Sequence, residues 1–139
     1  MSLRPNQSGS LTGPTRARVA TWEEAFAGGS ATKFAEMATA SVALEGSVFA
    51  SAIEGRDAVF QAIRTTASLY DRLEFVHELL SADRTYMEWE AQALGLGISG
   101  VTVLTIASDG WLTRIALHHR PLGVVQRFAS ELEKRLTHH

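Results

Sequence analysis

Between Thr15 and Gly28 the apolar residues Val19, Trp22, Ala25 and Phe26 recur at the spacing of one helix face, and Gly28 with Gly29 ends the run. Ser30 can cap a second, short helix whose apolar side is Phe34 with Met37 and Ala38. One or two short strands are expected between Val42 and Ala52. GRDAVFQAIRTTASLYDR then opens on a glycine and has Asp57 in its first turn. It sets Val59, Phe60, Ile63, Ala67 and Tyr70 on one face of a third helix. LEFVHELL, TYMEWEAQA and GVTVLTIA have strand character, as does the stretch after the Asp109–Gly110 turn signal, and together they predict an antiparallel meander. Pro121 suits the first position of a last helix with the stripe Val125, Phe128, Ala129, Leu132 and Leu136. The order of helices, strand pair, helix, four strands and helix predicts an α+β domain.

Strand register follows from the same pattern, because a slip of one residue moves every side chain to the other face. An odd number of residues in the turn around Asp83 collects Leu73, Phe75, His77, Leu79, Met87, Trp89, Ala91 and Ala93 on one face. Glu74, Glu78, Glu88, Glu90 and Gln92 then share the other. An even turn mixes acids with apolar residues, and burying unpaired acids costs roughly several kcal/mol, so the segregated register is expected. In the last hairpin, with Asp109 and Gly110 at the tip, Leu104 opposes Ile115 and Thr102 opposes Leu117. Of the adjacent pair His118 and His119 only one can look inward. The register selects His119 and turns His118 outward with Arg114, Ala116 and Arg120, and it expects His77 on the inward face.

Composition narrows the function classes. The 139 residues suit one domain with a proper core, and 13 Lys and Arg against 15 Asp and Glu leave a net charge of -2 with no block of either sign. Neither nucleic acid nor a membrane surface is therefore an expected partner. No apolar run approaches the roughly 20 residues of a membrane span, and MSLRPNQSGSLTGPT lacks the apolar segment of a signal peptide, so a cytoplasmic location is expected. Residues 1–14, rich in Gly, Pro, Ser and Thr, read as a disordered tail before a single domain over 15–139. There is no cysteine, and the histidines do not fall at the i, i+4 spacing of a helical metal motif, so no metal or other cofactor is expected.

LEGSVFASAIEGRDAV, FVHELLSADRTYMEWEA and GVTVLTIASDGWLTRI, with the RPL entry to the last helix, resemble the nuclear transport factor 2-like superfamily and its SnoaL-like small-domain members. The resemblance runs from Thr15 to Leu136. It implies a cone-shaped roll, in which a curved antiparallel sheet wraps around the N-terminal helices and encloses an apolar pocket, with a homodimer formed through the outer sheet face. The superfamily contains ketosteroid isomerases, polyketide cyclases, limonene epoxide hydrolases and scytalone dehydratases beside noncatalytic binding proteins, so the fold does not fix the function. The resemblance puts Glu45 near the isomerases' aspartate base, Trp22 where the enzymes carry a tyrosine, and Leu117 where others carry an acid on the last strand.

Three readings follow. The first is a pocket for an apolar small organic molecule with cofactor-independent proton transfer (isomerase, cyclase or hydratase type). Glu45 would be its base, and His119 or His77 its acid or orienting donor. Trp22, Phe26, Tyr70, Met87, Trp89 and Leu117 would form the wall. The second is a noncatalytic binding pocket, which the missing tyrosine and missing last-strand acid favour. The third is an association module whose interior is filled by core side chains.

Overall fold

The computed structural model describes Trp22, Glu23 and residues 30–137. The expected tail over 1–14 and most of the first predicted helix, Phe26 included, lie outside the described residues. Helix α1 spans Ala31–Ala35 and is capped as expected, with the Ser30 hydroxyl accepting from the Lys33 N–H at 3.0 Å. It is shorter than its apolar pattern implied: Met37 follows its end, and Ala38 already begins strand β1, Ala38–Gly46. Strand β2 is only Ile53–Glu54. Helix α2, Arg56–Ala67, buries Val59, Phe60 and Ile63, and the Arg56 guanidinium ties its first turn to the Ala38 carbonyl at 2.8 and 3.1 Å. Tyr70 departs from the helical reading. The helix stops at Ala67, and Tyr70 is the first residue of strand β3, Tyr70–Leu80. Strands β4 (Arg84–Ala93), β5 (Leu96–Ile106) and β6 (Leu112–Arg120) complete the meander, and helix α3, Leu122–Thr137, buries the predicted Val125, Phe128 and Leu132.

The six strands form one curved sheet in the order β2-β1-β6-β5-β4-β3. Its joints are antiparallel except that β1 runs parallel to β6, so the sheet is mixed rather than purely antiparallel. Turn chemistry sets the hairpins. Leu94 and Gly95 both have positive φ between the paired Ala93 and Leu96, the conformation of a two-residue turn that matches strand twist. At the last hairpin the Asp109 carboxylate accepts from the Trp111 N–H, and Leu104 pairs with Ile115 and Thr102 with Leu117, as the pattern required.

The β3–β4 hairpin obeys the predicted register over only part of its length. Leu73 faces Ala91 and Phe75 faces Trp89, which is the segregated register. At the turn end, however, Leu80 pairs with Thr85, leaving an even number of residues between them, and a bulge at Val76 reconciles the two halves. Beyond that bulge His77 pairs with Glu88 and Leu79 with Tyr86, on the outer face.

The inward residues build two buried clusters. One joins Phe34, Val42, Leu44, Phe60, Met87 and Ile115 between the sheet and helices α1 and α2, and the other joins Leu69, Trp89, Ile98, Phe128 and Leu132 beneath α3. Each fully buried Leu or Phe contributes about 1.5–3 kcal/mol. Phe49, Phe75 and Leu136 touch both clusters.

Candidate functional site

A cleft of about 530 Å³ opens where helix α2 ends and strand β3 begins. Ile63, Phe75, Trp89 and Leu117 give it apolar walls, Trp22 and Tyr70 add aromatic area, and Thr66 and Thr102 add hydroxyls. Its charged lining groups, Glu23, Arg64, Asp71 and Arg72, are exposed. Apolar walls and exposed charged groups thus meet in one cleft.

Behind the aromatic wall lies His119, which is only 9% exposed. Its Nε2 shares a hydrogen bond of 2.6 Å with the Tyr70 hydroxyl. Its backbone N–H donates to the Ser47 hydroxyl at 2.8 Å, which fastens β6 to the segment after β1. The Trp89 indole meets the imidazole edge-on with ring centroids 4.9 Å apart, Tyr70 packs edge-on against Trp89 at 5.6 Å, and the Phe128 ring lies tilted against the imidazole at 5.2 Å.

This apolar nest disfavours charge. Burial pushes His119 down to about 4; the Leu117 carbonyl offsets this in part, and neighbouring His118 adds a smaller downward push. Burial raises the Tyr70 phenol above its usual value. Both groups are therefore neutral near pH 7, sharing one proton, and the favoured arrangement has the Tyr70 O–H donating to Nε2 with a proton on Nδ1. That puts an N–H rather than a lone pair toward the Leu117 carbonyl, although Nδ1 makes no well-formed hydrogen bond.

The sequence-predicted site residues separate into three groups. Trp22, Tyr70, Trp89 and Leu117 line the cleft, whereas His119 is inward as expected but stands one layer behind it. Met87 faces inward yet is sealed in the core at 0% exposure and does not reach the cleft. Glu45 and His77 do not converge on the cleft at all. Glu45 is about half exposed and holds Arg114 in an ion pair at 2.6 Å, because its strand position matches Ala116 on the outer face. His77 is turned out by the Val76 bulge, and its Nδ1 meets the Glu88 carboxylate at 2.8 Å on the solvent side. His118 is exposed, as the register required. The Tyr70–His119 pair and the role of Ser47 were missed, since reading Tyr70 as helical put it on the wrong element. The alternation of Tyr70, Leu73 and Phe75, interrupted by one residue, was the available signal. Among the described residues no cluster of His, Asp and Glu could hold a metal ion, and no helix is long and apolar enough to cross a membrane.

No protein-family model matches the chain, and no curated protein matches it significantly. Solved structures do match. A steroid delta-isomerase from Pseudomonas aeruginosa is similar with a TM-score of 0.76 at 16% identity, over 86% of this chain and 88% of that one. An uncharacterised protein with a cystatin-like fold from Silicibacter pomeroyi gives a TM-score of 0.78 at 16% identity, over 86% and 84%. A hypothetical protein with a ketosteroid isomerase-like fold from Catenulispora acidiphila, solved in complex with trimethylamine, gives 0.60 at 13% identity, over 81% and 91%. At such identities the likeness speaks for architecture alone, and with the strand order and cleft described above it establishes that this chain has the nuclear transport factor 2-like, ketosteroid isomerase-like fold.

Proposed function

We propose that this protein binds a small, flat, largely apolar organic molecule in the cleft beside Tyr70 and Trp89, without transforming it. The observation that carries this reading is the division of labour inside the site. The aromatic and aliphatic walls are in place, but the two groups best suited to move a proton, Tyr70 and His119, spend their shared proton on each other and are both held neutral. The carboxylates that line the cleft, Glu23 and Asp71, are exposed. A SnoaL-like affiliation is consistent with this reading.

The test is calorimetric titration with a compact aromatic probe such as 2-acetylnaphthalene, whose expected dissociation constant is on the order of 10–100 μM. Ala67→Trp, at a lining position on α2, should fill the space and abolish the heat while the circular dichroism spectrum stays native. Undiminished binding in that variant would remove the cleft from consideration.

A second reading, isomerase-type proton transfer, is suggested by the likeness to the solved steroid delta-isomerase. Migration of a double bond into conjugation, followed by ultraviolet absorbance, with its loss in Tyr70→Phe, would replace the first reading by this one.

We further propose that a second copy of this chain covers the outer sheet face. Leu79, Tyr86, Val103 and Ala116 form one cross-strand row there, with Leu79 65% and Tyr86 37% exposed. The ion pairs Arg114–Glu45 and Arg120–Glu88 flank the row and supply both signs to a two-fold partner. Sedimentation velocity should show a dimer that Tyr86→Lys converts to monomer; a monomeric parent protein at 100 μM or so would end this proposal.

A further inference from the structure

The cleft contains one deeply buried hydroxyl whose proton has no acceptor among the described residues. Thr102 lies on β5, lines the cleft and is 3% exposed. Trp89 Nε1 donates to its Oγ1 at 3.1 Å, which engages a lone pair and leaves the threonine's own O–H to donate elsewhere. Other threonines of the fold behave differently. Thr65 and Thr66 on α2 donate to the carbonyls of Gln61 and Ala62 at 2.8 and 2.7 Å, and Thr113 donates to the Thr105 carbonyl at 3.3 Å. Their protons are spent on backbone. A buried hydroxyl proton without an acceptor is costly, so a ligand atom that takes it is rewarded.

Packing fixes where that hydroxyl sits. Gly100 stands directly across the ladder from Trp89, and a Cβ there would come within 2.5 Å of Trp89 Cζ2 while colliding with the His118 carbonyl. Glycine alone leaves room for the indole to lie over this position. His119 and Tyr70 meet the indole in edge-on contacts. Held so, Nε1 reaches diagonally to Thr102, whose own register partner is Met87, the next inward residue along β4. The run Gly100, Trp89, Thr102 is thus a small device that orients one donor in a greasy wall.

We propose that Thr102 is the specificity-determining donor of the cleft, selecting ligands whose apolar body carries an acceptor oxygen, above all a carbonyl. The proposal rests on the reading of the cleft as a ligand site. A matched pair of probes separates the two: 2-acetylnaphthalene, and 2-isopropenylnaphthalene, in which a methylene replaces the carbonyl oxygen. The folded protein should bind the ketone roughly fivefold to tenfold more tightly than the hydrocarbon, the ratio a neutral hydrogen bond supports. Thr102→Val should bind both at the hydrocarbon's affinity, Thr102→Ser should restore the preference, and Trp89→Phe, which frees the hydroxyl rotor, should reduce it. Equal binding of both probes by the parent protein, or a preference that survives Thr102→Val, would overturn the role of Thr102 while leaving the cleft as a ligand site. Failure of both probes to bind the folded protein would overturn the cleft reading and this inference with it.

Discussion

The two halves of the β3–β4 hairpin share one alternating pattern and end on different surfaces. In the half near the cleft, Leu73 and Phe75 lie opposite Ala91 and Trp89 and face the helices. In the half near the turn, His77 and Leu79 lie opposite Glu88 and Tyr86 and face outward, Leu79 being 65% exposed. One extra residue, Val76, separates the halves and exchanges their faces. Alternation therefore reports a face only within an uninterrupted ladder. A sheet that curves enough to enclose helices has to break the ladder somewhere, and a bulge sharpens local twist where it sits.

The two imidazoles that the pattern placed together make the sharpest test of this difference. His119 holds a folded-state value of about 4 against 6.5 for an unconstrained histidine. Between those values the unfolded chain binds a proton that the folded chain refuses, so stability is intact above pH 6.5, falls as the pH drops through the window and levels off near 4. The loss approaches about 3 kcal/mol, an order-of-magnitude figure from the linkage relation. Carboxylates also titrate in this range, so the measurement is a difference. Urea unfolding at pH 7 and pH 4.5 should show a steep loss for the parent protein that is largely absent in His119→Phe. Equal slopes in the parent and His119→Phe would mean that the inner imidazole is not desolvated, and the contrast between the halves would collapse.

How much of this was legible beforehand follows from which interactions are local. The last helix was readable because its stripe from Val125 to Leu136 repeats without interruption, and its buried residues match that stripe. His119 and His118 were separable because the β5–β6 ladder runs unbroken from Ser99 to Thr105 on one side and Arg120 to Arg114 on the other. Tyr70 was misplaced because TTASLY continues the helical period past the point where Ser68 caps the helix, and no glycine or proline marks the stop. Glu45, which the resemblance put near the isomerases' aspartate base, lies away from the cleft for another reason: its face is set by a parallel pairing with β6 that no local pattern announces. The Thr102 hydroxyl and the seat of the Trp89 indole over Gly100 depend on three strands meeting, which spacing along one strand does not reveal.

A finer test compares neighbours across the bulge itself. Phe75 packs against both buried clusters and lines the cleft, so Phe75→Ala should cost about 2 kcal/mol, below the figure for a fully enclosed phenylalanine because part of its ring is already exposed. Two positions on, His77→Ala should change stability by about 0.5 kcal/mol or less at pH 7, since its side chain is 79% exposed and its contact with Glu88 is an exposed pair screened by water and salt. Had the segregated register continued to the turn, His77 would lie beside Trp89 and its removal would open a cavity in the same wall that Phe75 builds. Equal costs for the two substitutions in denaturant unfolding would restore that uninterrupted register and remove the bulge from the account; a ratio of about four or more places the boundary between the wall of the cleft and the outer sheet at Val76.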